Sequence, residues 1–365
     1  MRTARRPTAQ RSLPAAATTT ATTAAVTALV PAALPARHPD PPQPQHGGTH
    51  GAGEPSPGPD LRLVAAARNA IRCQLRRGHA SGANGSPAAW LEALAERLAR
   101  QTQVSVADAD AMAPRLARGL HVEAAHALEF AGLVYLGMGC AESAIRVLRR
   151  ASAAYLKALD SNQPEYAERL ADLAVGATAL LAQAHGARFA ETGDEGELAA
   201  ARELTIAAAR AYHTGAAPHP ELELARALLA GTAGHRDRVM ASLDCALAGL
   251  EARDDSADAV GDAVGDDGAE GGAVGELAAD LLACDRSTLD YGRVFLAFAD
   301  LDRAAGSPKS ARLFYTVALA GFDLLNQVGF AARAHHGLAA TYRALGAKRR
   351  AAEHEDRAIQ LRDTL

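Results

Sequence analysis

The chain has 365 residues, of which 48% are hydrophobic but only 4% aromatic, so a core must be built mainly from Ala, Leu and Val, which favours helices over sheets. Its apolar runs fall short of the roughly 18 residues that span a bilayer, and Cys73, Cys140, Cys245 and Cys284 form no CxxC pair, which argues against a membrane helix, a zinc module and a dense disulfide framework. The net charge of −4 excludes a globally basic nucleic-acid binder, and the cysteine usage makes the reducing cytoplasm the expected location.

Residues 1–60 are rich in Pro, Gly, Ala and Thr, and read as a disordered tail that cannot bury enough apolar surface to offset its ordering entropy. A secretory signal is the rival reading, because Arg2, Arg5, Arg6 and Arg11 precede a stretch ending near Leu34-Pro35-Ala36; threonines with Pro14 and Pro31 interrupt that stretch. A start codon assigned too far upstream would leave the same kind of segment. From Leu61 onward apolar residues recur at helical spacing, as in Leu61, Val64, Ala67, Ile71 and Leu75, then Trp90, Leu91, Leu94 and Leu98. Ser86-Pro87, Gln163-Pro164, His219-Pro220 and Ser307-Pro308 each place Pro where a first helical turn loses no intrahelical bond. Residues 61–125 hold nine Arg against five acidic residues, but the flexible stretch from His79 to Ser86 is too long for the turn of a DNA-reading helix pair, so a solvated basic cap is expected.

A repeat becomes explicit at Leu128, Gly132, Tyr135 and Gly139, followed by Ala144, Leu148 and Ala151. Small residues at 132, 144 and 151 would let two antiparallel helices approach, with Gly139 in the turn between them. Leu338-Ala339, Tyr342, Gly346, Ala351 and Ala358 form another copy, with Glu355 at a usually bulky position, and Phe295, Phe298-Ala299, Gly306, Ala311, Tyr315 and Ala318 a third. This pattern resembles the tetratricopeptide repeat. Weaker copies centre on Gly193 and Gly234, which lie 41 residues apart, while Gly306 and Gly346 lie 40 apart. The 54 residues from Gly139 to Gly193 imply a longer helix from about Pro164 to Phe189. The predicted fold is an all-α, tetratricopeptide-like α-solenoid, a right-handed superhelix of antiparallel helix pairs. Its N-terminal part would cover 61–252 and its C-terminal repeats 276–365, separated by an acidic disordered loop over 253–275.

That loop spells DDxxD at Asp254-Asp255-Ser256-Ala257-Asp258, the metal-diphosphate motif of terpene synthases. It sits among Gly, Ala and Asp without a companion motif, so a solvated acidic segment is the simpler reading. The histidine pair His46/His50 lies in the expected tail, and His335/His336 lacks a nearby Cys or carboxylate at ligand spacing. No catalytic, metal or cofactor residues are assigned, and no enzyme is expected.

In tetratricopeptide folds the first helix of each pair lines the inner groove. Projected here, the resemblance selects Arg293, Asp300, Arg303, Arg333, His336 and Arg343 as a partner-binding wall. Guanidinium groups grip carboxylates and phosphates bidentately, so an acidic peptide, a C-terminal carboxylate or a phosphorylated segment fits such a wall; the plain alternative is an ordinary solvated surface. The resemblance implies a protein–protein adaptor or regulatory subunit that binds a protein or peptide. Direct nucleic-acid binding and membrane binding are not expected. The Ala/Arg-rich composition is similar to that of actinobacterial proteins, and the last copy resembles the repeat regions that end many of their transcriptional regulators. A ligand- or peptide-sensing repeat protein controlling transcription is therefore the alternative, with an enzyme on a helical scaffold a minor one.

Overall fold

The computed structural model describes residues 59–77, 86–107, 113–160, 164–212, 217–263 and 270–365. The expected tail, apart from its last two positions, lies outside the described residues. Twelve helices and no strand occur among those residues: α1 (Pro59–Arg77), α2 (Pro87–Ala107), α3 (Ala113–Gly137), α4 (Ala141–Asp160), α5 (Pro164–Thr192), α6 (Glu195–Ala211), α7 (Pro220–Thr232), α8 (Arg236–Ala263), α9 (Glu270–Ala304), α10 (Pro308–Leu324), α11 (Val328–Ala344) and α12 (Lys348–Asp363). Successive helices pack as antiparallel pairs, which makes the fold an all-α, tetratricopeptide-like helical repeat. None of the described helices is long and apolar enough to cross a membrane.

The five glycines picked from the sequence as turn residues all lie between helices of a pair. Gly139, Gly193, Gly234, Gly306 and Gly346 have φ between 69° and 77°, in the left-handed region where a side chain is strained. At the first of them the Cys140 N–H donates to the Tyr135 carbonyl at 2.8 Å, closing α3 before α4 begins. Asn326, with φ 53°, makes the corresponding turn between α10 and α11. Asp194 caps α6 by accepting from the Gly196 N–H at 2.8 Å.

The long helix implied by the 54-residue interval is α5, which runs from Pro164 to Thr192. Between Gly234 and Gly306 the added length goes largely into helix. Within the span expected as an acidic loop, 253–275, α8 continues to Ala263 and α9 resumes at Glu270, while residues 264–269 lie outside the described residues. The alanines scattered among the aspartates carry the helix forward where Gly and Asp alone would end it.

Small residues on one helix receive large ones from its neighbour. A Cβ at Gly132 on α3 would collide with Leu148 of α4, and one at Gly292 on α9 would lie 2.7 Å from the Phe322 ring of α10. Ala144, on the α4 side of the first seam, is fully buried. Ala144→Leu should therefore overpack the seam and lower stability by about 1–3 kcal/mol in urea unfolding, whereas Ser143→Leu at the half-buried neighbouring position should cost much less. Equal midpoints for the two variants would contradict this register.

The run of pairs curls until its later members meet its first. Helix α9 packs on α1, where Arg72 Nε lies 3.0 Å from Asp285 Oδ2, and α11 packs on α3. At that second contact a Cβ on Gly329 would stand 2.5 Å from the backbone carbon of Gly137, and one on Gly137 would stand 2.8 Å from the Phe330 ring. The space that an open solenoid leaves as a groove is thus filled by α9 over part of its length.

Candidate functional site

The six residues selected from the repeat pattern divide into two environments. Arg293 is buried, with a side chain 6% exposed, and does not stand on an open groove wall. Its Nη1 donates to Glu221 Oε1 at 2.8 Å and Asp290 Oδ1 at 2.9 Å, and its Nη2 to Gln183 Oε1 at 2.6 Å. Glu221 on α7 and Gln183 on α5 reach across to the stretch of α9 that carries Arg293 and take up its guanidinium. Arg333 occupies the equivalent position 40 residues later and is exposed. Its guanidinium lies 6.0 Å from the Phe330 ring centre, and it makes no ion pair among the described residues.

The other four remain at the surface of α9 and α11. Asp300 accepts from the Tyr315 hydroxyl, which in turn accepts from Arg303 Nε at 3.0 Å, and the Arg303 side chain stays 45% exposed. Arg343 pairs with Glu355, and His336 Nδ1 lies 3.6 Å from the same carboxylate; both side chains are 54% exposed. Glu355 therefore stands at its usually bulky repeat position because it faces this Arg and His rather than the core. His335 turns the other way, its Nδ1 2.8 Å from His354 Nδ1, so the adjacent histidines do not converge.

Around Arg293 lies a buried polar cluster that the repeat pattern does not reveal. Arg286 on α9 donates from Nε to Asp290 at 2.8 Å, from Nη1 to Glu129 on α3 at 2.6 Å, and from Nη2 to Glu221 on α7. Glu129 also accepts from the fully buried Tyr155 hydroxyl at 2.8 Å. Two guanidiniums and three carboxylates thus tie α3, α7 and α9 together, with Tyr155 of α4 and Gln183 of α5 joined to them. Burial alone would raise Glu221, but Arg293 and Arg286 hold it well below the usual carboxylate range. Asp290 is pushed up to about 6 by burial and by the Glu221 charge, against the pull of the two arginines. The signal in the sequence is a carboxylate inside an otherwise apolar stretch, as in Leu128-Glu129-Phe130 and Leu289-Asp290-Tyr291.

No protein-family model matches the chain, and no curated protein matches it. Among solved structures it is similar to BtubC (BKLC) from P. vanneervenii, at 16% identity and a TM-score of 0.39, over 76% of this chain and 92% of that one. It is also similar to the de novo designed helical repeat protein DHR64, at 18% identity and a TM-score of 0.20, over 84% of this chain and 100% of that one. At these values the fold rests on the chain's own helix pairs and glycine turns, and they define a tetratricopeptide-like helical repeat protein.

Proposed function

We propose that the chain is an adaptor or regulatory subunit, not an enzyme, and that it binds an acidic or phosphorylated protein segment along α9 and α11. The observation that supports this most is a contrast between repeats: Arg293 is taken up inside the protein, whereas its counterpart Arg333, together with Arg303, His336 and Arg343, stays exposed on α9 and α11. Asp300 pairs with Arg303, and Glu355 with His336 and Arg343, without burying these side chains. A partner carboxylate or phosphate could then exchange for these exposed contacts at small cost, which makes binding salt-dependent.

The test is co-purification from the native cell with the intact chain and with the triple variant Arg303→Glu, Arg333→Glu, Arg343→Glu. A partner that elutes from the intact chain with rising salt and is absent from the triple variant, at an unchanged melting temperature, is the expected outcome. Identical partners on both chains would rule out this face.

A further inference from the structure

The seam between α11 and α12 carries a histidine contact that the proposed binding face does not use. His335 on α11 and His354 on α12 meet through their Nδ1 atoms, 2.8 Å apart, with ring centres at 5.0 Å. The His354 ring also stacks on Tyr342 of α11 at 5.3 Å, and the Arg350 guanidinium lies 5.7 Å from the Tyr342 ring centre. Arg350, Tyr342, His354 and His335 thus form one ladder between the two helices. The buried side chains of α12 are two alanines, Ala351 and Ala358, so the ladder supplies a large share of what holds this helix down.

A hydrogen bond between two ring nitrogens needs a hydrogen on one and a bare lone pair on the other. Two neutral rings meet that condition, and so does one protonated ring beside a neutral one. With both rings protonated, two N–H groups and two positive charges would face each other at 2.8 Å. Among the described residues, the charged groups that act on the pair all come from α12: Arg357 on His335, and Glu353 and Arg350 on His354. Arg357 also acts on Asp323 of α10, while α3 and α9 bring no charged group to the pair. Partial burial, the neighbouring ring and Arg357 push His335 down to about 4. Burial and Arg350 lower His354 too, against the pull of Glu353.

From this geometry we infer that the His335 and His354 rings form an acid-sensitive latch, which holds α12 on α11 while one ring keeps its lone pair and lets it go as both take up protons. The sign follows from the docked and detached states. A histidine lowered from 6.5 to about 4 binds fewer protons when α12 is docked than when it is detached, so docking is strongest above pH 6.5 and weakens as the pH falls toward 4. At pH 5 ordinary carboxylates are still mostly ionised, so the latch opens ahead of general acid unfolding. Detachment carries Glu355 away from His336 and Arg343, yet the latch itself does not depend on partner binding there, and either assignment can fail alone.

The experiment is hydrogen-exchange mass spectrometry of the full chain at pH 7.0 and 5.0, with protection referred to the intrinsic exchange rate at each pH. It compares the unsubstituted protein with His335→Gln, with the double variant His335→Gln, His354→Gln and, as an exposed control, with His235→Gln. Glutamine can donate to or accept from its neighbour without taking up a proton, so each latch variant retains a contact. Protection of α12 should fall about tenfold or more between pH 7.0 and 5.0 in the unsubstituted chain and in His235→Gln, with α4 unchanged. Both latch variants should lose most of that fall, and the single variant decides the matter where the double one does not fold. Constant protection of α12 in the unsubstituted chain, an equal fall in His335→Gln, or a fall of the same size in α4 would overturn the inference.

Discussion

Arg293→Ala should lower the unfolding free energy by about 3 kcal/mol, while Arg333→Ala, 40 residues further along at the same repeat position, should change it by no more than about 0.5 kcal/mol. Removing the Arg293 guanidinium leaves Glu221 and Asp290 buried with one cation fewer between them and strips Gln183 Oε1 of its donor. Losing one partner of a buried ion pair typically costs about 3–5 kcal/mol. The lower end applies because Arg286 still donates to both carboxylates. Arg333 is exposed and makes only a weak contact over Phe330, so its truncation removes little. Urea unfolding of the two variants beside the parent measures both values. Equal losses would mean that Gln183 and Glu221 do not hold Arg293 as described.

Gly329→Val should destabilise the chain by about 3 kcal/mol, at the upper end of the usual cost of overpacking. A Cβ at position 329 would lie 2.5 Å from the Gly137 backbone carbon, 2.6 Å from its oxygen and 2.7 Å from the Met138 nitrogen, all main-chain atoms that cannot rotate aside. To admit the side chain, α11 must lift from the end of α3, which also withdraws Phe330 from its place against Gly137. Gly321→Ala offers a mild comparison, because the Cβ there would meet nothing closer than 3.4 Å. Melting temperatures within error of one another for Gly329→Val and Gly321→Ala would show that the contact between α11 and α3 is not made.

Local features of this fold were legible in the sequence because they repeat. Each of the five turn glycines needs a backbone that only glycine adopts readily, so their periodic spacing marked the helix pairs directly. Pro164, Pro220 and Pro308 stand at the first positions of α5, α7 and α10, as their missing N–H groups would suggest. Helical periodicity is silent, however, on how far a stack curls, because curvature accumulates from small rotations between pairs. The packing of α9 on α1 therefore could not be foreseen, nor could the burial of Arg293 that accompanies the curl. Arg303, further along α9, and Arg333, His336 and Arg343 on α11 stay exposed. Within the span expected as an acidic loop, α8 runs to Ala263 and α9 begins at Glu270.

The repeat curls until α9 packs on α1, and a buried polar cluster joins α9 to α3 and α7. Cys73 on α1 and Cys284 on α9 test it most directly, since both are exposed, neither is in a disulfide, and each adjoins one member of the Arg72–Asp285 pair. Treatment of the native chain with a short bis-maleimide, followed by peptide mass spectrometry, should recover an intramolecular link between Cys73 and Cys284 that disappears in denaturant. Efficient modification of both thiols by the reagent with no such link in the folded chain would contradict the closed arrangement.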